Sequence, residues 1–284
     1  VFPGLMTNDG AGLFTIEGPI VPNPMPNALE QSAAWADVNH DGRLDVIVAG
    51  GPQGATRSDV LVGAAERLFL GAANLKFVEQ ALPVPEKEGQ AFIAAPVDVD
   101  NDGDLDIYIV NDFGMFLAPN RLLINDGQGL FSDGSDASDS DVGVWGMGLA
   151  VGDIDNDGDL DLIVAAFSES CIGKTSEDLV FSIFNPRVEL AGICDPVTPG
   201  VYEYRDGTYI EVGQERGFVH KLWALAGFLF DIDFDGDLDI YIGTDFEPEP
   251  SYLYINDGTG HFEDRGEEWG VRWLDGEKTA PRVM

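Results

Sequence analysis

Apolar and polar positions along this chain fall into short segments that recur. Four stretches of small and apolar residues, "SAAWA", "FIAAPV", "GMGLAVG" and "LAGFLF", each run into an acidic loop. Each loop is left by an apolar run rich in β-branched and aromatic residues: "VIVAG", "IYIVN", "LIVAA" and "IYIGT". Runs this short, bounded by turn residues, predict buried strands rather than helices. A second signal follows further along. "LLINDGQGLF" at 122–131 and "LYINDGTGHF" at 253–262 are near copies, and "LMTNDGAGLF" at 5–14 matches them. Weaker counterparts are "LFLGAANLKF" at 68–77 and "YEYRDGTYI" at 202–210. Asn-Asp-Gly between two short apolar segments is a strong hairpin signal.

The repeating unit is therefore strand, acidic loop, strand, variable loop, strand, tight turn, strand. The acidic loops align without gaps: "DVNHDGRLD" at 37–45, "DVDNDGDLD" at 98–106, "DIDNDGDLD" at 153–161 and "DIDFDGDLD" at 231–239, at spacings of 61, 55 and 78 residues. Four antiparallel strands in about 60 residues make one β-propeller blade. A β-sandwich has no need of identical units in register, so the repeat favours the propeller. The predicted fold is all-β: a half-blade at 1–20, blades at about 30–82, 90–133, 144–213 and 222–266, and a tail at 271–284. An insertion at 168–200 accounts for the longest spacing.

Composition narrows the picture. Apolar residues make up 44% of the 284, enough for a sizeable core, and 35 Gly with 16 Pro imply many turns. The longest apolar run, Leu222 to Phe230, is too short to span a membrane as a helix. The chain opens at Val1 with no signal-like stretch, which raises the expectation of processing or trimming. A net charge of −36 argues against nucleic acid and anionic membrane surfaces as partners.

Much of that charge is concentrated in the loops, which hold 18 of the 51 acidic residues. Two carboxylates roughly 4 Å apart repel by about 4 kcal/mol at an effective dielectric near 20. A bound divalent cation turns that repulsion into ligation. In the pattern D-x-[DN]-x-D-G-x-x-D, positions 1, 3 and 5 offer side-chain oxygens, Gly at position 6 lets the loop fold over, position 7 offers its carbonyl, and position 9 returns a carboxylate. Hard oxygen donors favour Ca²⁺ over Zn²⁺, with Mg²⁺ the weaker alternative because of its stricter geometry. The expected ligands are Asp37, Asn39, Asp41, Arg43 and Asp45; Asp98, Asp100, Asp102, Asp104 and Asp106; Asp153, Asp155, Asp157, Asp159 and Asp161; and Asp231, Asp233, Asp235, Asp237 and Asp239. Arg43, Asp104, Asp159 and Asp237 are expected to act through their carbonyls, the three aspartates adding charge rather than side-chain bonds. The first loop, the least acidic, is expected to bind most weakly.

At these motifs the chain resembles the FG-GAP/VCBS repeat family, the calcium-loop propellers typified by the head of integrin α subunits. "WGMGLAVGDIDNDGDLDLIVA" at 145–165 and "LYINDGTGHFEDRGEEWGV" at 253–271 are especially similar to bacterial VCBS proteins. The resemblance covers nearly the whole chain except 168–200. Integrin-type heads have seven blades, whereas four acidic loops occur here. Either the tail pairs with the amino-terminal half-blade to close a five-bladed ring, or the chain is part of a longer, seven-bladed one.

Alternating strands put the calcium loops and Asn-Asp-Gly turns on one face and the variable segments 50–66, 112–120, 168–200 and 245–250 on the other. A rigid scaffold with variable loops is a binding architecture, and the resemblance implies ligand engagement on that face. The leading expectation is a secreted, cell-surface or periplasmic calcium-binding module for a protein or glycan, or for assembly into a larger complex. The alternative is a hydrolase or lyase with carboxylates in the propeller channel. His40, His220 and His261 are the only histidines, and no nucleophile elbow, phosphate loop or zinc motif occurs. Phe113, Met115 and Phe116 either cover a blade edge or anchor a partner. Trp145 and Trp223 are expected to pack between blades. Cys171 and Cys194 are expected to form a disulfide closing the insertion, with two separate buried thiols as the other possibility.

Overall fold

The computed structural model describes residues 4–19, 28–53, 63–83, 85, 88–114, 116–167, 197–244 and 250–272. Cys171, Cys194 and nearly all of the 168–200 insertion lie outside these residues, as do Met115 and most of the tail.

Among the described residues there are eighteen strands. A hairpin, β1 (Gly4–Asn8) with β2 (Phe14–Pro19), stands as its own two-stranded sheet. Four four-stranded sheets follow, each an antiparallel meander in chain order. The first is β3 (Ala28–Ala36), β4 (Asp45–Gln53), β5 (Arg67–Ala72) and β6 (Lys76–Gln80). The second is β7 (Gln90–Val97), β8 (Asp106–Asp112), β9 (Arg121–Asn125) and β10 (Phe131–Asp133). The third is β11 (Gly146–Gly152), β12 (Asp161–Ala166), β13 (Gly200–Arg205) and β14 (Thr208–Glu211). The fourth is β15 (Ala224–Phe230), β16 (Asp239–Thr244), β17 (Tyr252–Asn256) and β18 (Phe262–Asp264). The fold is all-β and built of propeller blades, as the repeat predicts.

Consecutive sheets pack face to face through their leading strands: β7 lies on β3 and β4, β11 on β7 and β8, and β15 on β11 and β12. Because a sheet between two neighbours has no solvent face, the centre of its second strand is a continuous apolar run. Residues 107–111 of β8 and 162–166 of β12 are buried at every position. Alternate residues then serve opposite interfaces. Ile107 and Ile109 join Ile47 and Ala49 between the first and second sheets. Tyr108 and Val110 join Leu162 and Val164 between the second and third. Ile163 and Ala165 join Ile240 and Ile242 between the third and fourth. Each such aliphatic side chain contributes roughly 1.5–3 kcal/mol when fully buried.

The fourth sheet breaks the rule. Its far face is partly open, with Phe228 56% and Phe230 36% exposed, and Tyr241, beside Phe228, half-buried. At the strand ends away from the acidic loops, Phe113, Trp145, Phe167 and Trp223 form a row of ring contacts across three sheets, with centroids 4.5, 4.6 and 6.0 Å apart. Both tryptophans therefore pack between blades as expected.

Polar clasps join the sheets at the other end. Asn125 is buried and its amide donates to the carbonyls of Val38, in the preceding sheet's loop (2.8 Å), and Leu105 (3.0 Å). Its side-chain oxygen accepts the N–H groups of Gly127 and Gly129. Asn256 repeats this arrangement on Ile154 (2.8 Å) and Leu238 (3.1 Å). An unpaired buried polar group costs about 1–3 kcal/mol. Replacing Asn125 with Ala orphans several at once, so Asn125→Ala should lower unfolding free energy by about 2 kcal/mol or more in urea titration. The exposed Asn8→Ala is the matched control and should change it little.

Candidate cation-binding loops

Each acidic loop is shaped from within by its own carboxylates. Asp37, at position 1, accepts the N–H groups of Asp41 (3.0 Å) and Gly42 (2.8 Å). Asp153 does so from Asp157 and Gly158, Asp231 from Asp235 and Gly236, and Asp98 from Gly103. The glycines at position 6 have φ of 81°, 92°, 98° and 102°, a region that favours glycine and lets the chain fold over. At position 5, Asp41, Asp102, Asp157 and Asp235 accept the N–H of position 7 at 2.8–3.1 Å.

Position 9 has a bracing role beside the expected one. Asp45, Asp106, Asp161 and Asp239 are at most 1% exposed. One oxygen of each accepts the N–H of position 2 (Val38, Val99, Ile154 or Ile232) at 2.9–3.2 Å. The other accepts an N–H from the sheet's third strand (Gly71, Asn125, Tyr204 or Asn256) at 2.7–3.1 Å. This carboxylate braces the loop against the sheet. Burial raises its proton affinity against these hydrogen bonds, pushing Asp106 up to about 6 and Asp161 up to about 7.

Among the described residues, three loops gather three carboxylate oxygens within 4.8 Å of one another: Asp98, Asp100 and Asp102; Asp153, Asp155 and Asp161; and Asp231, Asp233 and Asp239. Asp161 and Asp239 thus combine the bracing role with a place in the cluster, whereas Asp45 and Asp106 brace their loops from outside these clusters. Asp98 Oδ1 and Asp155 Oδ1 are buried with no hydrogen-bond partner. A buried anionic oxygen facing other carboxylates, with no donor, is suited to a hard cation. Burial first, and then the charge of Asp102 or Asp157, raises the carboxyls of Asp100 and Asp155 above the usual range. The residues present fit a divalent metal ion at these three loops.

The first loop forms no such cluster. Asn39 replaces an aspartate at position 3, and the Arg43 guanidinium pairs with Asp41. Arg43 also donates to the Gly71 carbonyl (2.8 Å).

The side chains of Asp104, Asp159 and Asp237 were expected to add charge only, and the structure corrects this. Each accepts a hydrogen bond from position 4 of the preceding loop: Asp104 from His40 (2.8 Å), Asp159 from Asn101 (2.8 Å) and Asp237 from Asn156 (2.9 Å). Asp104 and Asp237 also pack so tightly against Gly127 and Gly258 that a Cβ at either glycine would collide with the carboxylate.

Of the two readings open for Phe113, covering a blade edge is the one the structure shows. The residue turns at φ 54° and lies 5% exposed under Trp145, so it closes the sheet end and cannot anchor a partner. Phe116 is half-buried, and Met115 is outside the described residues. Sequence reasoning missed Arg216, which donates to Asp155 (3.1 Å) and the Thr259 carbonyl (2.7 Å) and pairs with buried Glu203. Nothing in the repeat pattern marks it, because it lies outside both recurring motifs.

Residues 98–164 match the family described as FG-GAP-like repeat, so the sequence resemblance holds over that stretch. No curated protein matches the chain by sequence. Solved structures similar to it include the following two. A GH43 β-xylosidase/α-arabinofuranosidase from a compost microbial metagenome, crystallised with xylotriose in a calcium-free form, is 12% identical, with 84% of this chain and 77% of that chain covered at a TM-score of 0.46. The V. cholerae biofilm matrix protein Bap1 is 20% identical at a TM-score of 0.42, and the match covers 84% of this chain but 31% of Bap1.

Releasing Asp41 should strengthen the first loop. An exposed ion pair is worth up to about 1 kcal/mol, so Arg43→Gly should tighten calcium binding there by about two- to fivefold in calorimetric titration. In the unaltered protein the first loop should fill last.

Proposed function

We propose that this chain is a calcium-stabilised β-propeller module that works outside the cytoplasm and binds a protein or glycan, or a subunit of a larger assembly. The observation that carries the calcium reading is the pair of buried, donorless oxygens, Asp98 Oδ1 and Asp155 Oδ1, within clusters built at the same register of a repeated loop. Each cation would be held by the carboxylates of positions 1 and 3, with position 5 in the second loop or position 9 in the third and fourth. The role of the ion is structural: it neutralises like charges that fold together and ties two strands of one sheet.

The binding role is supported by the layout. The cation loops, with the turns at 125–129 and 256–260, occupy one edge of the sheets. The connections after each second strand leave from the other edge and carry the variable segments, including 112–120 and the insertion at 168–200. A rigid frame that carries variable loops is a binding architecture. Among the described residues no helix is long and apolar enough to cross a membrane.

Thermal and chemical unfolding with excess calcium and with chelator test the first part. Each site should add about 2.7 kcal/mol when calcium stands at 100 times its dissociation constant. Equal midpoints in the two conditions would overturn the structural role. For the second part, deleting 172–193 should leave calcium-dependent unfolding intact and abolish capture of a glycan or protein ligand by the immobilised chain. Capture that survives the deletion and also Phe116→Ser places the binding surface elsewhere.

A further inference from the structure

The hydrogen bonds between neighbouring loops follow one rule. Position 4 of a loop adopts the left-handed conformation in all four cases, with φ of 56° at His40, 58° at Asn101, 61° at Asn156 and 64° at Phe234. That conformation aims the side chain sideways, out of its own loop and toward position 7 of the next. Asn101 donates to Asp159 Oδ1 and to the Gly158 carbonyl (3.1 Å), so it grips both position 7 and position 6 of the third loop. Asn156 grips Asp237 Oδ1 and the Gly258 carbonyl (3.4 Å) of the fourth sheet's turn. His40 grips Asp104 of the second loop.

The two ends of the series show what the pairing requires. The fourth loop, the last of the four, has Phe234 at position 4, a residue with no polar group to offer and 89% exposed. The first loop, with none of the other three before it, has Arg43 at position 7 where the others have Asp. Aspartate occurs at position 7 in each loop that follows a donor. A donor occurs at position 4 in each loop that precedes such an aspartate. Loop folding alone explains neither correlation, since Phe234 shares the position-4 backbone conformation and the Arg43 N–H is held by position 5 just as those of the aspartates are.

From this geometry we propose that His40, Asn101 and Asn156 are positioning residues that couple neighbouring cation sites, so that filling one loop pre-forms the next. The inference rests on the calcium reading above. On that reading position 7 would offer its backbone carbonyl to the ion, and its N–H is already held by position 5. Fixing its side chain from the preceding loop fixes the peptide that must face the cation. A folded loop n thereby lowers the ordering cost of loop n+1, and by linkage an occupied loop n+1 favours the folded form of loop n to the same degree. The coupling has a built-in direction of contact and stops at Phe234.

Calcium titration of the intact chain by isothermal calorimetry tests this, with circular dichroism at saturating calcium as the check that each variant is folded. Asn101→Ala and Asn156→Ala remove the clamp without changing charge, so direct repulsion between sites is untouched. In the unaltered protein the second, third and fourth loops should fill with positive cooperativity. Each Asn→Ala variant should lose it, with at least one site weakened about fivefold or more, the lower range of coupling between sites. Phe234→Ala, at a position 4 that makes no clamp, should leave the isotherm unchanged. Folded Asn→Ala variants whose isotherms superimpose on the parent would overturn the coupling alone. Absence of calcium binding in the parent would overturn the calcium reading, and the coupling with it.

Discussion

A buried aspartate with both oxygens held by backbone N–H groups is the interaction on which the rest of each repeat depends. Taking a carboxylate out of water costs several kcal/mol, and hydrogen bonds to a charged group return about 1.5–3 kcal/mol each. With two such bonds the balance is close, and the rise of Asp106 to about 6 and Asp161 to about 7 shows burial prevailing. What the arrangement secures is geometry. One oxygen holds the start of the loop and the other holds the third strand, so a single side chain fixes how the loop, the second strand and the third strand meet.

Built on that brace, the loop needs little else to stay in shape. Positions 1 and 5 organise the backbone through local hydrogen bonds, which leaves oxygens such as Asp98 Oδ1 and Asp155 Oδ1 pointing inward with no donor. The like charges are thereby concentrated where an ion can sit between them. The first loop shows the alternative solution. There an arginine within the loop supplies the positive charge, and no three carboxylates converge.

The strands, their order and the four loops were legible in the sequence because they rest on short-range signals repeated in register. The roles of single residues were legible only where they act locally. Asn125 read as a turn former, and it is one, but its amide also caps the carbonyl of Val38, 87 residues away, a contact that no periodicity announces. The aspartates at position 7 read as surplus charge because their partners lie in another repeat. The pairing of position 4 with the next position 7 was present in the letters, yet it has meaning only once the sheets are known to stand side by side. For position 9 the loop pattern points to the metal, and burial, invisible in sequence, adds the second role of bracing the loop against the sheet. For Phe113 the sequence left two readings open, and a left-handed turn after β8 with the ring buried decides for covering the sheet end.

The packing of each sheet on its chain neighbour through the leading strands has a consequence for how the molecule comes apart. Interfaces between consecutive sheets make stability a sum of units and junctions rather than the property of one undivided core. The steepness of a denaturation curve scales with the surface exposed in one cooperative step. For this architecture, that slope counts the sheets that unfold together. Any condition that weakens a junction will flatten the curve before it shifts the midpoint.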